Sequence, residues 1–282
     1  MPAARLIAAA VVMACAASCG RPEPGIVAGS AHIADILGAL STDNAGQTVR
    51  SLIPPGMCPG HFDMKPSDIR MLTDSRIVLL HPWQRTMANI DEVIRAAAIP
   101  DERIRVIPVE GNWMVPAVRV QAIDAIARVM SEAEPARADD YAGAAARQTA
   151  AVREFEQAIK KQLEELEPGA RKILCNEMQR QFLDWAGFDV VAVYGRPEDL
   201  SVADVERLVA TAREAGAALI VDNLQSGDTQ LSEAIARDAG LVQVVLTNFP
   251  GGFENTDTWE LAVRANVQLL SEAAGDWAQR HE

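Results

Sequence analysis

The sequence predicts an α/β protein of two lobes, each a parallel four-stranded sheet flanked by helices. Three observations support this fold class. Short apolar runs alternate with stretches of helical periodicity along the chain. The apolar runs form two groups of four, which favours two lobes over a single barrel of evenly spaced strands. A segment rich in Ala, Glu, Lys and Gln separates the two groups.

The first group predicts a lobe over residues 19–137. Its strands are predicted at residues 26–29, 48–53, 76–80 and 104–109, with helices at 33–40 and 90–98. The second group predicts a lobe over residues 169–282. Its strands are predicted at 172–175, 189–194, 217–221 and 241–246, with helices at 200–215 and 231–239.

The separating segment, residues 138–168, predicts one long connecting helix. It has no internal proline, and its one glycine, Gly143, lies near its start. A helix over residues 139–166 would be about 40 Å long at roughly 1.5 Å per residue. We therefore expect a rigid helix that joins the two lobes.

The amino terminus indicates export from the cytoplasm. Residues 1–5 carry one positive charge, residues 6–17 are small and apolar, and Cys19 follows small residues. This pattern predicts a signal peptide over residues 1–18, with lipid on Cys19 as the new terminus. Cys15 is a poorer candidate because a shorter apolar run precedes it, and an ordinary cleaved signal is the alternative. We expect a periplasmic or cell-surface lipoprotein anchored to the membrane.

The formal net charge of −13, without a basic run, argues against nucleic acid as a partner. With Cys19 lipidated, two cysteines remain, Cys58 and Cys175. Outside the cytoplasm two cysteines indicate either a disulfide or free thiols available as ligands.

A stiff loop presents a cysteine and a histidine. The run Leu-Ile-Pro-Pro-Gly-Met-Cys-Pro-Gly-His at residues 52–61 cannot form a regular element and holds Cys58 and His61 three residues apart. A thiolate and an imidazole suit a transition metal such as zinc. The pair alone is half a site, so a loop in which both side chains merely pack is the alternative.

Other polar side chains follow the predicted strands. In open α/β sheets, ligands bind beyond the carboxyl ends of the strands. Those ends carry His81, Asn112, Cys175, Asn176, Asp222 and Asn223. Their convergence predicts a binding cleft, which His81, Asn112, Asn176 and Asn223 would line. For Trp83 and Trp113 we expect packing rather than ligand contact.

Several of these motifs together resemble a family of transport proteins. They are Pro-Pro-Gly at 54–56, the run from Phe62 to Leu72, Trp113 to Pro116, the long helix, Asp222 to Gln225, and Gly-Gly at 251–252 followed by Asp-Thr-Trp at 257–259. The chain resembles the cluster A-I solute-binding lipoproteins, which capture zinc, manganese or iron for bacterial ABC importers. The resemblance implies two lobes joined by one helix, a metal site between them, modest closure, and partnership with an ABC permease and ATPase. We expect a monomer and no enzymatic activity.

The sequence departs from that family at the metal ligands. The family's usual ligands are three histidines and one carboxylate, and their positions fall on Gly60, Gly111, Asn176, and Asp222 or Asn223. If the lobes face each other as the resemblance implies, Cys58, His61, Cys175 and Asp222 approach one volume. These four are therefore the predicted metal ligands.

Three functions follow from this departure. The first is capture of a transition metal ion, with zinc first and copper(I) also suited to soft ligands. The second is capture of a metal chelate or small organic solute, for which the two glycines make room. The third, a zinc hydrolase, is the weakest, because the chain offers no nucleophile with a placed base.

Overall fold

The computed structural model describes residues 25–41 and 48–281. The predicted signal peptide and Cys19 lie outside the described residues. Within the described ranges, none of the helices combines the length and the apolar character needed to cross a membrane.

The first lobe is a parallel sheet covered by helices, and we call it the N-lobe. Its strands have the order β2-β1-β3-β4, and Ile26 of β1 lies between Val49 of β2 and Ile77 of β3. The elements in chain order are β1 (Ile26–Ala28), α1 (Ala31–Leu40), β2 (Val49–Ser51), α2 (Pro66–Thr73), β3 (Ile77–Leu80), α3 (Ala88–Ala96), β4 (Ile104–Val106) and α4 (Pro116–Ala133).

The long connecting helix is α5 (Ala138–Glu164), whose 27 residues span about 40 Å. Its buried residues recur every three or four positions, as a helix with one apolar face requires; they include Tyr141, Ala145, Val152, Phe155 and Ile159. This face packs against α1 and α4 of the N-lobe and, beyond them, against the last helix of the chain. The predicted connecting helix is confirmed.

The second lobe, the C-lobe, repeats the arrangement with strand order β6-β5-β7-β8, again all parallel. Its elements are β5 (Lys172–Asn176), α6 (Arg180–Ala186), β6 (Asp189–Tyr194), α7 (Val202–Ala215), β7 (Leu219–Asn223), α8 (Gln230–Ala239), β8 (Val242–Leu246) and α9 (Trp259–His281). The Ser201 hydroxyl caps α7 by accepting from the Asp204 amide, and Gly216 ends the helix in the left-handed region at φ 64°.

The two lobes share one apolar core. A single cluster of buried side chains runs from α1 and β1 through α4 and α5 to β5, β7, β8 and α9. At its centre Trp259 is 1% exposed, and its indole nitrogen donates to the carbonyl of Trp113 at 3.0 Å. The predicted two-lobe α/β fold is therefore confirmed, with the carboxyl ends of both sheets facing a common cleft.

Candidate binding cavity in the cleft

A cavity of about 520 Å³ occupies the cleft. Each of the eight strands delivers residues to its lining from just beyond its carboxyl end, beginning with His32 after β1 and ending with Asn248 and Phe249 after β8. Parallel strands place all their carboxyl ends on one edge of a sheet, so the two facing sheets build the cavity between them.

One wall of the cavity is aromatic. It is formed by Trp83, Trp113 and Phe249, and Met87 and Met178 also line the cavity. The His81 ring stacks on Trp83 with centroids 5.2 Å apart and planes 22° apart. Both tryptophans line the cavity, and both also pack as expected, Trp113 within the shared core at 3% exposed and Trp83 against the apolar core of the N-lobe.

Two buried histidines lie against this wall. The Nε2 atom of His32 is 2.7 Å from the carbonyl oxygen of Asn248, which can only accept, so Nε2 carries the proton. Burial, followed by the nearby Arg119 cation, holds the pKa of His32 well below its usual range. The ring is therefore neutral, and its Nδ1 lone pair has no hydrogen-bond partner among the described residues.

His81 is the second neutral imidazole. Its Nε2 lies 2.7 Å from the Ser30 hydroxyl, and burial lowers its pKa to about 3. Its Nδ1 atom likewise finds no partner in the part of the chain that the structure describes. Both rings line the cavity, but their unpartnered Nδ1 atoms are themselves buried.

The predicted loop residues Cys58 and His61 both line the cavity. A single 3-10 turn, Pro59–His61, follows Cys58, and the His61 amide donates to the Cys58 carbonyl at 3.1 Å. Cys58 is half-buried and His61 exposed, so both are accessible from the cavity.

The predicted C-lobe ligands lie elsewhere. Cys175 is fully buried in the shared apolar core, where burial raises the pKa of its thiol to about 12. It is a free thiol, as is Cys58, so the disulfide alternative does not hold here.

Asp222 is turned away from the cavity toward α8. Its carboxylate accepts from the Ser232 hydroxyl and from the Asn223 amide, the latter at 2.7 Å. Burial raises its pKa, and these hydrogen bonds oppose the shift. The structure therefore does not bring Cys175 and Asp222 together with Cys58 and His61.

Over residues 25–41 and 48–281, no group of three or more His, Cys, Asp or Glu side chains could hold a metal ion.

The four predicted cleft residues His81, Asn112, Asn176 and Asn223 all line the cavity. Asn112 also bridges the lobes, because its side-chain amide donates to the Met178 carbonyl at 3.0 Å and to Asn248 Oδ1 at 2.9 Å. A neutral amide thus joins the two walls of the cleft.

Two long polar side chains that line the cavity were not predicted from the sequence. Arg196 follows β6, and its Nη2 lies 3.2 Å from the position that a Cβ atom on Gly60 would take. Gln181 lies at the start of α6, and its Oε1 is 2.8 Å from the corresponding position on Gly111, whose φ is +97°. The signal for Arg196 was the Gly-Arg-Pro triplet directly after a predicted strand; for Gln181 the sequence carries none.

The sequence matches the profile of one protein family over residues 26–273, and that family is described as the zinc-uptake complex component A, periplasmic. A search of curated proteins found no significant match.

Solved structures share the fold. A manganese-bound periplasmic metal-binding protein from Candidatus Liberibacter asiaticus has a TM-score of 0.73 at 14% identity, covering 89% of this chain and 99% of its own. Its cadmium-bound form gives 0.72 at 14% identity with the same coverage. A crystal structure of ZnuA gives 0.72 at 19% identity, again covering 89% and 99%.

Proposed function

The chain belongs to the family of the periplasmic component A of zinc-uptake complexes, and from this premise we propose how it binds its cargo. Members of the family are extracytoplasmic binding components that work with the permease and ATPase of an ABC importer, and they are binding proteins rather than enzymes. We propose that this chain captures a transition metal in the cleft cavity, and that the metal arrives as a complex with a small organic chelator.

This proposal is supported by one observation: the cavity is large enough for a small molecule, but it lacks the protein side chains needed to bind a metal ion alone. A protein site that binds zinc alone closes around it with three or four donors at about 2.0–2.3 Å. Across the described residues no such group exists, whereas the cavity of about 520 Å³ is within the roughly 300–1,000 Å³ typical of small-molecule sites. A chelator would supply the donors that the protein lacks and fill the remaining volume.

Cys58 and His61 are the proposed protein contacts to the metal. Both line the cavity and can reach one ion from a single loop. The rings of His32 and His81 and the side chain of Asn112, which line the cavity, would contact the organic part.

A second candidate function is capture of the bare ion, with zinc first. It is favoured by the proximity of Cys58 and His61, a soft ligand pair of the kind that zinc and copper(I) accept. It requires further donors to move into the cavity, which the first candidate does not.

We also propose a monomeric lipoprotein. The supporting pattern is the apolar run ending at Cys19, which would anchor the mature protein to the membrane. The proposed segments are residues 1–18 as signal peptide, 19–137 and 169–282 as lobes, and 138–168 as the connecting helix.

The test is calorimetric titration of reduced mature protein with zinc alone and with preformed zinc chelates. We expect at least one chelate to bind more tightly than free zinc. Cys58→Ser and His61→Ala should each weaken chelate binding. Binding should also weaken as pH falls, because a cysteine thiol must lose its proton before it can bind the metal. His281→Ala, at the exposed end of α9, is the control. Tight binding of free zinc with no gain from any chelate would support the second candidate instead.

A further inference from the structure

The two glycines at the positions of the family's first two ligands are each covered by a side chain from the opposite lobe. Gly60 of the N-lobe lies under the guanidinium of Arg196, and Gly111 lies under the amide of Gln181. A side chain at either glycine would occupy the space that the C-lobe residue now fills. The missing ligands are therefore replaced by one cationic group and one neutral amide.

Arg196 is held loosely by its own lobe. Its ion pair with Glu198 is 3.9 Å long, and half of its side chain is exposed. An arginine at 3.9 Å from a half-exposed carboxylate can exchange that partner at little cost. Among the described residues of the lining, Glu177, which is exposed, is the one further Asp, Glu, Lys or Arg beside this pair. The guanidinium is thus available to an occupant of the cavity.

A fixed cation at this place selects between cargoes. Arginine stays protonated under all ordinary conditions, so it repels a bare divalent cation, whereas its planar fork pairs with a carboxylate through two parallel hydrogen bonds. The lining of the same cavity includes the aromatic wall of Trp83, Trp113 and Phe249, which can accept the flat face of an organic ring.

We propose that the cavity selects a planar metal chelate that carries a carboxylate, with the carboxylate bound to Arg196 above Gly60. This inference rests on the proposed function and names its cargo class. Gln181, above Gly111, already accepts from the backbone amide of Asn112 through Oε1, and its side-chain NH2 group is the donor it would offer to the same ligand. The organic ring lies against Trp83.

The experiment compares two preformed zinc complexes, both flat and aromatic. Zinc dipicolinate carries carboxylates, whereas zinc phenanthroline carries none. Calorimetric titration of the mature protein should give at least about tenfold tighter binding for the dipicolinate complex, as a charge-assisted hydrogen bond predicts. Arg196→Gln should remove most of that preference.

Two further variants separate the site from general effects. Gly60→Ala should reduce the preference by less than Arg196→Gln does, because the new methyl group would lie 3.2 Å from Arg196 Nη2 and the guanidinium must shift by a few tenths of an ångström. Arg207→Gln is the matched control: Arg207 pairs with Asp204 at 3.1 Å on α7 and takes no part in the cavity lining. It should leave both affinities unchanged.

Each outcome decides one of the two proposals. Equal binding of the two complexes, unaffected by Arg196→Gln, would overturn the carboxylate inference and leave chelate capture standing. Tight binding of free zinc with no affinity for either complex would overturn chelate capture and the inference with it. Loss of preference in Arg196→Gln with unchanged phenanthroline binding would support both.

Discussion

The neutral state of His81 makes the stability of the protein depend on pH. The Nε2 atom of this buried ring is held by the Ser30 hydroxyl, and its pKa lies at about 3 in the folded protein, against an ordinary value of 6.5. Below pH 6.5 the unfolded chain takes up a proton at this residue, whereas the folded protein does not until the pH nears 3. Stability must therefore fall as pH falls through this window.

The size of the effect follows from the two pKa values. Linkage gives a loss of about 2 kcal/mol in the free energy of unfolding between pH 7 and pH 5, and about 1.4 kcal/mol for each further unit above pH 3. His32 contributes in the same direction, because its pKa is also lowered by burial. Asp222 contributes with the opposite sign, because a raised carboxyl pKa favours the folded state as pH falls.

A variant isolates the part that belongs to His81. His81→Gln places an amide where Nε2 lies and can keep the hydrogen bond to Ser30, but it cannot titrate. Urea unfolding at pH 7 and pH 5 should show that the variant loses about 2 kcal/mol less than the wild type over this interval. His281→Gln, at the exposed end of α9, is the control and should lose as much as the wild type.

Equal losses in wild type and His81→Gln would refute the reasoning. That result would mean that the folded protein accepts a proton on His81 near the ordinary pKa, and that the ring is hydrated rather than buried. Asp222 is retained in both proteins, so its contribution cancels from the comparison. His32 is retained as well, and burial and Arg119, the two larger causes of its lowered pKa, are unchanged by the substitution.

Three further predictions concern other parts of the chain. Ala150→Pro should lower the free energy of unfolding by about 3 kcal/mol, because it removes a hydrogen bond in the interior of α5. The control, Ala150→Ser, should lower it by well under 1 kcal/mol. Equal melting temperatures of the two variants would exclude an intact helix at residue 150. Gly252→Ala should lower the free energy of unfolding, measured in urea, by about 1–3 kcal/mol, because its Cβ would lie 2.0 Å from the hydroxyl of buried Thr247. An unchanged free energy of unfolding would show that this contact relaxes freely. Cys19→Ala should release the protein from the membrane fraction, and release by Cys15→Ala instead would move the lipidation site.

The sequence was sufficient for the fold because its strands are largely apolar, and those at the centre of each sheet, β1, β3, β5 and β7, are buried on both faces. Such strands appear as uninterrupted apolar runs, and all eight were predicted in place, β6 at the observed residues 189–194. The long helix was equally visible, since nothing within it could break it. The largest difference is β4, predicted to residue 109 but ending at Val106, two residues before Pro108, which has no amide hydrogen to donate.

The same burial on both faces explains why the site was only partly predictable. Successive side chains of a strand point to opposite faces, but a strand that is apolar on both sides does not reveal which residues face the cleft. Asp222 and Asn223 are adjacent, yet the first contacts Ser232 of α8 while the second lines the cavity. Cys175 enters the shared core in the same way, one residue before Asn176, which lines the cavity.

The contacts between the two lobes across the cleft could not be predicted from any local sequence pattern. A glycine in a loop indicates a turn or a close approach, but it does not say what approaches. At Gly60 and Gly111 the approaching groups come from the other lobe, and they arrive only when α5 and the shared core fix the two sheets face to face. The sequence could show that the usual ligands were absent. Only the structure shows that Arg196 and Gln181 lie over Gly60 and Gly111, and our proposal of a different cargo starts from that observation.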